Sequence, residues 1–146
     1  LTPYTGPEHT FDTANMTEAA QAALTCFQKA VKDADGSIDY SKASAYRTPE
    51  YQAHFLEIWD KNDQMKNNTR SECGTVKAAV TTAFKSYSLL PEQRPAEVAV
   101  APHVRGIAFD VNVKVPAKFD VDVLAAFCKL KRTVKKKDPV HYEYKP

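Results

Sequence analysis

The segment APHVRGIAFDVNV, residues 101–113, has the alternating pattern of a half-buried β-strand. Apolar side chains at positions 107, 109, 111 and 113 alternate with small or polar ones, so one face of the strand is apolar and the other polar. His103 and Asp110 are an odd number of residues apart, which in a regular strand puts their side chains on opposite faces. Gly106 lies between them, where a bend costs least. The pattern therefore predicts a strand with a kink at Gly106 that lets the two side chains converge.

Length and composition indicate a single globular domain over residues 1–146, with an irregular N-terminal arm over residues 1–14. The chain is 43% hydrophobic and 26% charged, which is close to the average for soluble proteins. Lys and Arg number 20 and Asp and Glu 18, too even a balance for a dedicated nucleic-acid binder. No apolar run reaches the length of a membrane span. We expect a monomer that binds no nucleic acid and has no membrane span.

A basic cluster lies near the C-terminus. We interpret it as a solvated helix end and loop, and the alternative is a docking patch for an anionic polymer. Its members are Lys129, Lys131, Arg132, Lys135, Lys136 and Lys137.

The three cysteines, Cys26, Cys73 and Cys128, have no C-x-x-C spacing, which excludes a cysteine zinc knuckle and a thioredoxin-like motif. In an exported protein they allow one disulfide and one free thiol. In a cytosolic protein all three would be buried thiols. We interpret Cys26, within a predicted helix, as core filler.

The remaining pattern predicts an α+β fold in which a small antiparallel sheet packs against several helices. Thr17 and Thr48 are placed to cap two helices, and Pro49 suits the first helical position of the second. The segment NDQMKNNTRSECG, residues 62–74, is polar and predicts a connection. Further helices are predicted over residues 76–89 and 121–130, and further strands over residues 37–47 and 138–144.

The last of these strands carries polar residues that match Asp110. His141 and Glu143 lie on one face of it, opposite Val140, Tyr142 and Tyr144. If it is the antiparallel neighbour of the first strand, Asp110 and His141 lie side by side on the exposed face. His103 would join them through the bend at Gly106. Two imidazoles and one carboxylate with an open fourth position are typical of a catalytic zinc site.

Three segments, in order along the chain, resemble motifs of the LAS-type zinc peptidases (family M15), which cut bacterial cell-wall peptides. HVRGIAFD resembles the family's H-x-x-G-x-A-x-D segment, SAYRTPEYQ its S-G-Y-R-S segment, and DPVHYEY its closing E-x-W-H-F-E pattern. The chain departs from the family at Ala101, where Ser is usual, at Ala45, where Gly is usual, and at Asp138, where Glu is common. In having Asp at this last position, the chain resembles the endopeptidase branch of the family, which includes phage lysins.

The resemblance implies a role for each residue and a LAS/hedgehog-like fold. His103, Asp110 and His141 would hold one Zn²⁺ per chain, and Asp138 would be the catalytic base. Arg47 would contact the substrate or a developing oxyanion, and its alternative role is a surface salt bridge. Glu143 would orient a ligand or bind substrate, and its alternative is plain exposure.

The implied function is hydrolysis of peptidoglycan stem peptides by an L-alanyl-D-glutamate endopeptidase. The alternatives are a D-alanyl-D-alanine carboxypeptidase and a catalytically silent module that binds wall peptides or a protein partner. Either enzyme would act in the periplasm or outside the cell, exported by a bacterium or delivered by a phage.

Overall fold

A computed structural model describes residues 1–6, 10–66 and 74–146 of the chain. Within these residues it contains four α-helices and one four-stranded antiparallel sheet, so the predicted α+β class is confirmed. None of the described helices combines the length and apolarity that a membrane span requires. The elements are α1 (Glu18–Asp33), β1 (Ser37–Ser44), α2 (Pro49–Met65), α3 (Gly74–Ser86), β2 (Ala108–Lys114), α4 (Val121–Phe127), β3 (Leu130–Lys131) and β4 (His141–Tyr144).

The described residues group into two compact units. One consists of residues 1–6, 48–66 and 74–101 and contains α2 and α3. The other consists of residues 10–47 and 102–146 and contains α1, α4 and the sheet. Residues 1–6 and 10–13 form no helix, strand or hydrogen-bonded turn. A single domain over the whole chain stays a prediction.

In the first unit, α2 begins as the sequence predicts. The Thr48 hydroxyl accepts a hydrogen bond from the amide of Tyr51 at 3.2 Å, and Pro49 takes the first helical position. The helix continues to Met65, so the predicted connection over residues 62–74 is wrong in its first part. The last turn of α2 contains no buried residue, so it needs no apolar stripe. The sequence pattern therefore gave no sign that the helix continues there. Residues 67–73 lie outside the described residues.

The sheet of the second unit has the strand order β1-β2-β4-β3. β2 pairs with β4 in antiparallel register, with Asp110 opposite His141 and Ala108 opposite Glu143, so the predicted pairing is confirmed. β1 pairs with the other edge of β2, and its register shifts between Asp39 and Ser44. The pairing of β2 with β4 brings the polar residues of these two strands next to each other.

Gly106 provides the predicted kink. It has φ +71°, in the left-handed region that favours glycine. Residues 102–106 form a turn, closed by a hydrogen bond from the amide of Ile107 to the carbonyl of Pro102 at 3.1 Å, so the strand predicted from residue 101 begins only at Ala108. The carbonyl of Gly106 accepts from the amide of Thr17 at 2.9 Å. The bend is therefore fixed against the start of α1.

Several elements begin or end at residues other than those predicted. α4 ends at Phe127 rather than at 130, because Lys129 has φ +60° and Leu130 pairs with Tyr144 as part of β3. α3 begins at Gly74 rather than at 76 and ends at Ser86, with Ser88 in the left-handed region at φ +54°. β1 ends at Ser44 rather than at 47, and β4 begins at His141 rather than at 138, because the paired residues of each strand end there.

The second unit has an aromatic core closed by a disulfide. The ring centroids of Phe27 in α1 and Tyr142 are 5.0 Å apart. The ring of Tyr142 also stacks on Phe109, with centroids 5.5 Å apart. Cys26 and Cys128 form a disulfide that joins α1 to the end of α4. The interpretation of Cys26 as core filler is therefore wrong. Cys73 lies outside the described residues.

Candidate metal centre

His103 is buried and its tautomer is fixed by the backbone. Its side chain lies on the turn before β2, and the residue is 5% exposed. The ring atom Nδ1 lies 2.6 Å from the carbonyl oxygen of Ala45, which can only accept a hydrogen bond. Nδ1 therefore carries a proton, and Nε2 of the neutral ring has a free lone pair.

His141 is held in the same way by a carboxylate. It begins β4 and is 7% exposed. Its Nε2 donates to Oε1 of Glu143 at 2.9 Å, and this oxygen also accepts from the Thr133 hydroxyl at 2.8 Å. The other oxygen of Glu143 lies 3.3 Å from the ammonium group of Lys145. Because Nε2 is the donor, the lone pair of the neutral ring is on Nδ1.

Asp110 divides its two carboxylate oxygens between two sets of partners. Oδ1 lies 3.2 Å from Nε2 of His103 and 3.0 Å from Nδ1 of His141. Oδ2 accepts a hydrogen bond from the Ser44 hydroxyl at 3.0 Å and pairs with Nη2 of Arg47 at 3.1 Å. The Oδ2 contacts fix the carboxylate so that Oδ1 faces the two rings.

The three inward-facing atoms form a triangle of the size that a tetrahedral metal ion requires. His103 Nε2 and His141 Nδ1 are 3.2 Å apart, and their distances to Asp110 Oδ1 are similar. Zinc bonds of about 2.0–2.1 Å place tetrahedral ligand atoms about 3.3 Å apart. With both rings neutral, three lone-pair atoms face one another, so a proton or a cation must lie among them. These three residues can therefore hold a metal ion.

The electrostatics of the metal-free cluster also favour a cation among the three atoms. Burial alone would lower the pKa of His141, but its hydrogen bonds to Asp110 and Glu143 raise that pKa to about 9. Burial, and then the nearby Arg47 charge, lower the pKa of His103. Burial would raise the pKa of Asp110, yet hydrogen bonds from both histidines hold it well below its usual range. The cluster thus keeps one ionised carboxylate, which is the form of Asp110 that can serve as a metal ligand.

Asp138 lies close enough to the cluster for the charges of Asp110 and the two histidines to act on its carboxyl group. The residue precedes β4 in a turn in which the amide of His141 donates to the carbonyl of Asp138 at 3.2 Å. Burial raises the pKa of the Asp138 carboxyl, and the negative charge of Asp110 raises it further. A carboxylate with a raised pKa is a better proton acceptor than an ordinary aspartate.

Arg47 lies in the cluster, in contact with Asp110. Besides the bond to Asp110, its Nη2 lies 3.3 Å from the Ser44 hydroxyl, and its side chain is 15% exposed. Its amide donates to the carbonyl of His103 at 3.3 Å. The salt bridge that the sequence left as an alternative thus exists, although it is largely buried and involves a candidate ligand. Its role toward substrate stays a prediction.

A groove of about 300 Å³ begins at Asp110. It is bounded by the irregular part of β1, by β2 and by the residue before β4. The lining residues are Asp39, Ser41, Lys42, Asp110, Val111, Asn112 and Val140.

The predicted exposure of the β4 polar face is wrong. His141 and Glu143 are both less than 10% exposed, because both faces of β4 are covered. A strand covered on both faces cannot be told from a half-exposed one by its alternation alone.

Three residues that support the cluster have no role in the sequence-based prediction. Ser44, Ala45 and Thr133 hold Asp110, His103 and Glu143 in place. Ser44 and Ala45 lie in the SAYR segment, so that segment was the available signal for these two residues. Thr133 lies in a turn with no recognisable pattern.

Comparisons of the chain with protein-family models, with curated proteins and with solved structures found no match. An assignment of function therefore depends on the geometry of this site and on the resemblance of the three segments.

Proposed function

We propose that the chain is a zinc-dependent peptidase that hydrolyses peptidoglycan stem peptides at the bond between L-alanine and D-glutamate. The observation that carries the proposal is the buried triangle of His103 Nε2, His141 Nδ1 and Asp110 Oδ1. Each atom is oriented by a hydrogen bond on the far side of its own side chain, as in protein sites where a second set of residues orients the ligands.

Zinc suits the three donors better than the harder divalent cations. Two imidazole nitrogens and one carboxylate oxygen are a set that Zn²⁺ accepts, whereas Mg²⁺ and Ca²⁺ prefer oxygen donors alone. Three protein donors leave a fourth position open, which distinguishes catalytic from structural zinc sites. When bound, Zn²⁺ would supply Lewis-acid chemistry, polarising a carbonyl group and lowering the pKa of water. We propose one such ion per chain.

Asp138 is the proposed general base. Its carboxylate would take a proton from the attacking water and return it to the amine of the departing peptide. Burial raises the pKa of this carboxyl, which supports the assignment because a more basic carboxylate accepts a proton more readily. Since Asp138 is outside the ligand triangle, it is available for proton transfer.

Arg47 and Glu143 have different proposed roles. Arg47 would bind a substrate carboxylate or stabilise the developing oxyanion, because its guanidinium keeps its charge and presents a planar set of donors. Glu143 is 8% exposed and already bonded to His141 and Thr133. These contacts favour the role of orienting His141 over that of binding substrate.

The groove beside Asp110 supports a peptide as substrate. It contains both a carboxylate and an ammonium group, from Asp39 and Lys42, together with the amide of Asn112. The carboxylates of a peptide can pair with Lys42, and its amide groups can form hydrogen bonds with Asp39 and Asn112. The groove and the metal centre share Asp110, so a peptide bound there would lie beside one of the proposed ligands.

The proposal includes the fold type and the compartment. We propose that the sheet and its helices are of the LAS/hedgehog-like type and that the protein works as a monomer. The disulfide between Cys26 and Cys128 supports a location in the periplasm or outside the cell, since such bonds persist in oxidising compartments.

The test is mass spectrometry of purified muropeptides after incubation with the zinc-loaded chain. We expect the stem to be released at the bond after L-alanine, with a terminal D-alanyl-D-alanine left intact. Asp138→Asn serves as the control and should release far less product. Release of free D-alanine would instead identify a carboxypeptidase. A zinc-loaded chain that binds muropeptides and cuts none would be the silent module.

A further inference from the structure

A second concave site lies in the same unit, between α4, the edge strand β3 with the turn after it, and the residue that follows β4. It is a pocket of about 520 Å³ whose lining includes five cationic side chains and one carboxylate. The apolar part of the lining is formed by Ala126 and Leu130. The charged residues are Asp122, Lys129, Lys131, Arg132, Lys135 and Lys145.

The carboxylate in the pocket leaves most of the positive charge unbalanced. Asp122 accepts from Nε of Arg132 at 2.7 Å and pairs with the ammonium group of Lys135. Within the described parts of the chain, neither Lys129 nor Lys131 forms an ion pair. A pocket that gathers cations from several segments around an apolar base differs from a solvated run of lysines, in which like charges spread apart.

The backbone at Lys129 adds an independent observation. Lys129 follows the last residues of α4 with φ +60°, the position where helices usually end on glycine. A lysine there costs about 1–2 kcal/mol relative to glycine. The strained residue contributes one of the two unpaired ammonium groups of the pocket. Strain of this kind is commonly found where a side chain has a binding role.

We propose that this pocket is a binding site for phosphate groups. Phosphate carries up to two charges on a small group, with several acceptor oxygens, and so suits a pocket with several close ammonium groups and one guanidinium. The source is either free phosphate or a polymer with phosphodiester links. The site is separate from the candidate metal centre and does not depend on the proposed peptidase activity. Two pocket residues lie next to the metal centre's Glu143: Lys145 contacts its carboxylate, and Lys131 is its pairing partner in β3.

The test is calorimetric titration of the full-length, zinc-loaded chain at about 0.15 M salt, where only close charge interactions escape screening. Three ligands are compared: inorganic phosphate, an oligomer of glycerol phosphate, and an oligoglutamate of the same charge. The site variant is Lys129→Gln with Lys131→Gln. The matched control is Lys136→Gln with Lys137→Gln, which removes the same charge from residues that do not line the pocket.

We expect one phosphate ligand per chain, bound at least about tenfold more weakly by the site variant, as loss of charge-assisted hydrogen bonds implies. The control should change the affinity less than about threefold, since Lys136 and Lys137 are exposed, do not line the pocket and are screened at this salt concentration. Tighter binding of the oligomer than of inorganic phosphate would assign the pocket to a polymer, and the reverse to free phosphate. Equal weakening in both variants, equal binding of oligoglutamate, or no saturable phosphate binding would overturn the proposal. Thermal unfolding and zinc content of both variants verify that the fold and the metal centre are intact.

Discussion

Asp110 connects the two kinds of contact on which the site depends. One oxygen faces the two histidines, and the other is held by Ser44 and Arg47. The carboxylate is thereby held in one orientation before any metal binds, which reduces the entropic cost of binding. The same division leaves only Oδ1 of Asp110 facing the position that the proposed metal ion would take.

At the residue scale, Asp138→Asn should retain zinc and lose activity. The amide has nearly the same shape but cannot accept a proton, and general base catalysis is typically worth about 10²–10⁴-fold. We therefore expect kcat for muropeptide hydrolysis to fall by this factor with zinc content unchanged. A variant with normal kcat would place the base elsewhere, and Glu143 would be tested next.

Zinc affinity should rise with pH between about 7 and 9. In the metal-free chain, His141 keeps its second proton up to a pKa of about 9, whereas the pKa of His103 is lowered from its usual value. Zinc must displace the His141 proton, so the apparent affinity should increase about tenfold per pH unit in this window and level off above it. Chelator competition, corrected for the protonation of the chelator, measures the slope. A flat profile would mean that His141 is not a ligand.

The sequence predicted the ligand candidates because they lie in short segments with recognisable spacing. It could not predict Thr133 as a partner of Glu143, because that contact depends on a turn without a pattern. Nor could it predict that Arg47 contacts Asp110, since the two residues meet only through the pairing of β1 with β2.

At the element scale, the kink before β2 should tolerate no side chain. A Cβ at Gly106 would lie 3.0 Å from the carbonyl oxygen of Asn15 and 3.2 Å from the amide of Thr17, on a backbone with φ +71°. Gly106→Ala should therefore lower the free energy of unfolding by about 1–3 kcal/mol and weaken zinc binding, because His103 lies on the same turn. Urea unfolding measures the first effect.

Gly74→Ala is the matched control, since a Cβ there, at the start of α3, meets no atom of the described residues within 4 Å. It should leave stability unchanged or slightly higher, because alanine is the better helix former. Equal losses in the two variants would show that the turn at Gly106 imposes no special backbone constraint.

Element types were more predictable than their ends. The cap at Thr48 and the alternation of β2 are local signals: α2 begins at its predicted cap, and β2 forms within the predicted segment, although it starts later than predicted. The end of α4 was missed because Lys129 adopts a conformation that its residue type disfavours. The strand at Leu130 depends on pairing with Tyr144, which no local pattern shows.

At the scale of the whole molecule, the disulfide should contribute substantially to stability. Cys26 and Cys128 are 102 residues apart in sequence, and linking distant positions restricts the unfolded chain strongly. Replacing both by alanine should lower the free energy of unfolding by about 2–4 kcal/mol. Thiol titration of the denatured, unreduced protein should find one thiol per chain, since three cysteines are present. Three titratable thiols would contradict the bond.

The pairing of cysteines was open from sequence because it depends on where α1 and α4 meet. Composition and length predicted one chain with a packed core, and the pattern of elements predicted the α+β class, but neither predicted the division of the described residues into two units. That division follows from which helices pack on the sheet and which pack on each other, and a buried face on a helix does not by itself show which of the two it packs against.

The proposed chemistry depends first on one zinc ion held by His103, Asp110 and His141. Native mass spectrometry of the chain after zinc loading and dialysis tests this most directly, with His103→Ala, Asp110→Ala and His141→Ala beside the control His54→Ala. His54 belongs to the other unit, where it stacks on Tyr4. We predict one zinc per chain in the unmodified protein and in the control, and loss of the ion in each of the three variants. Full zinc content in all three variants, or no zinc in the unmodified protein, would contradict the metal centre.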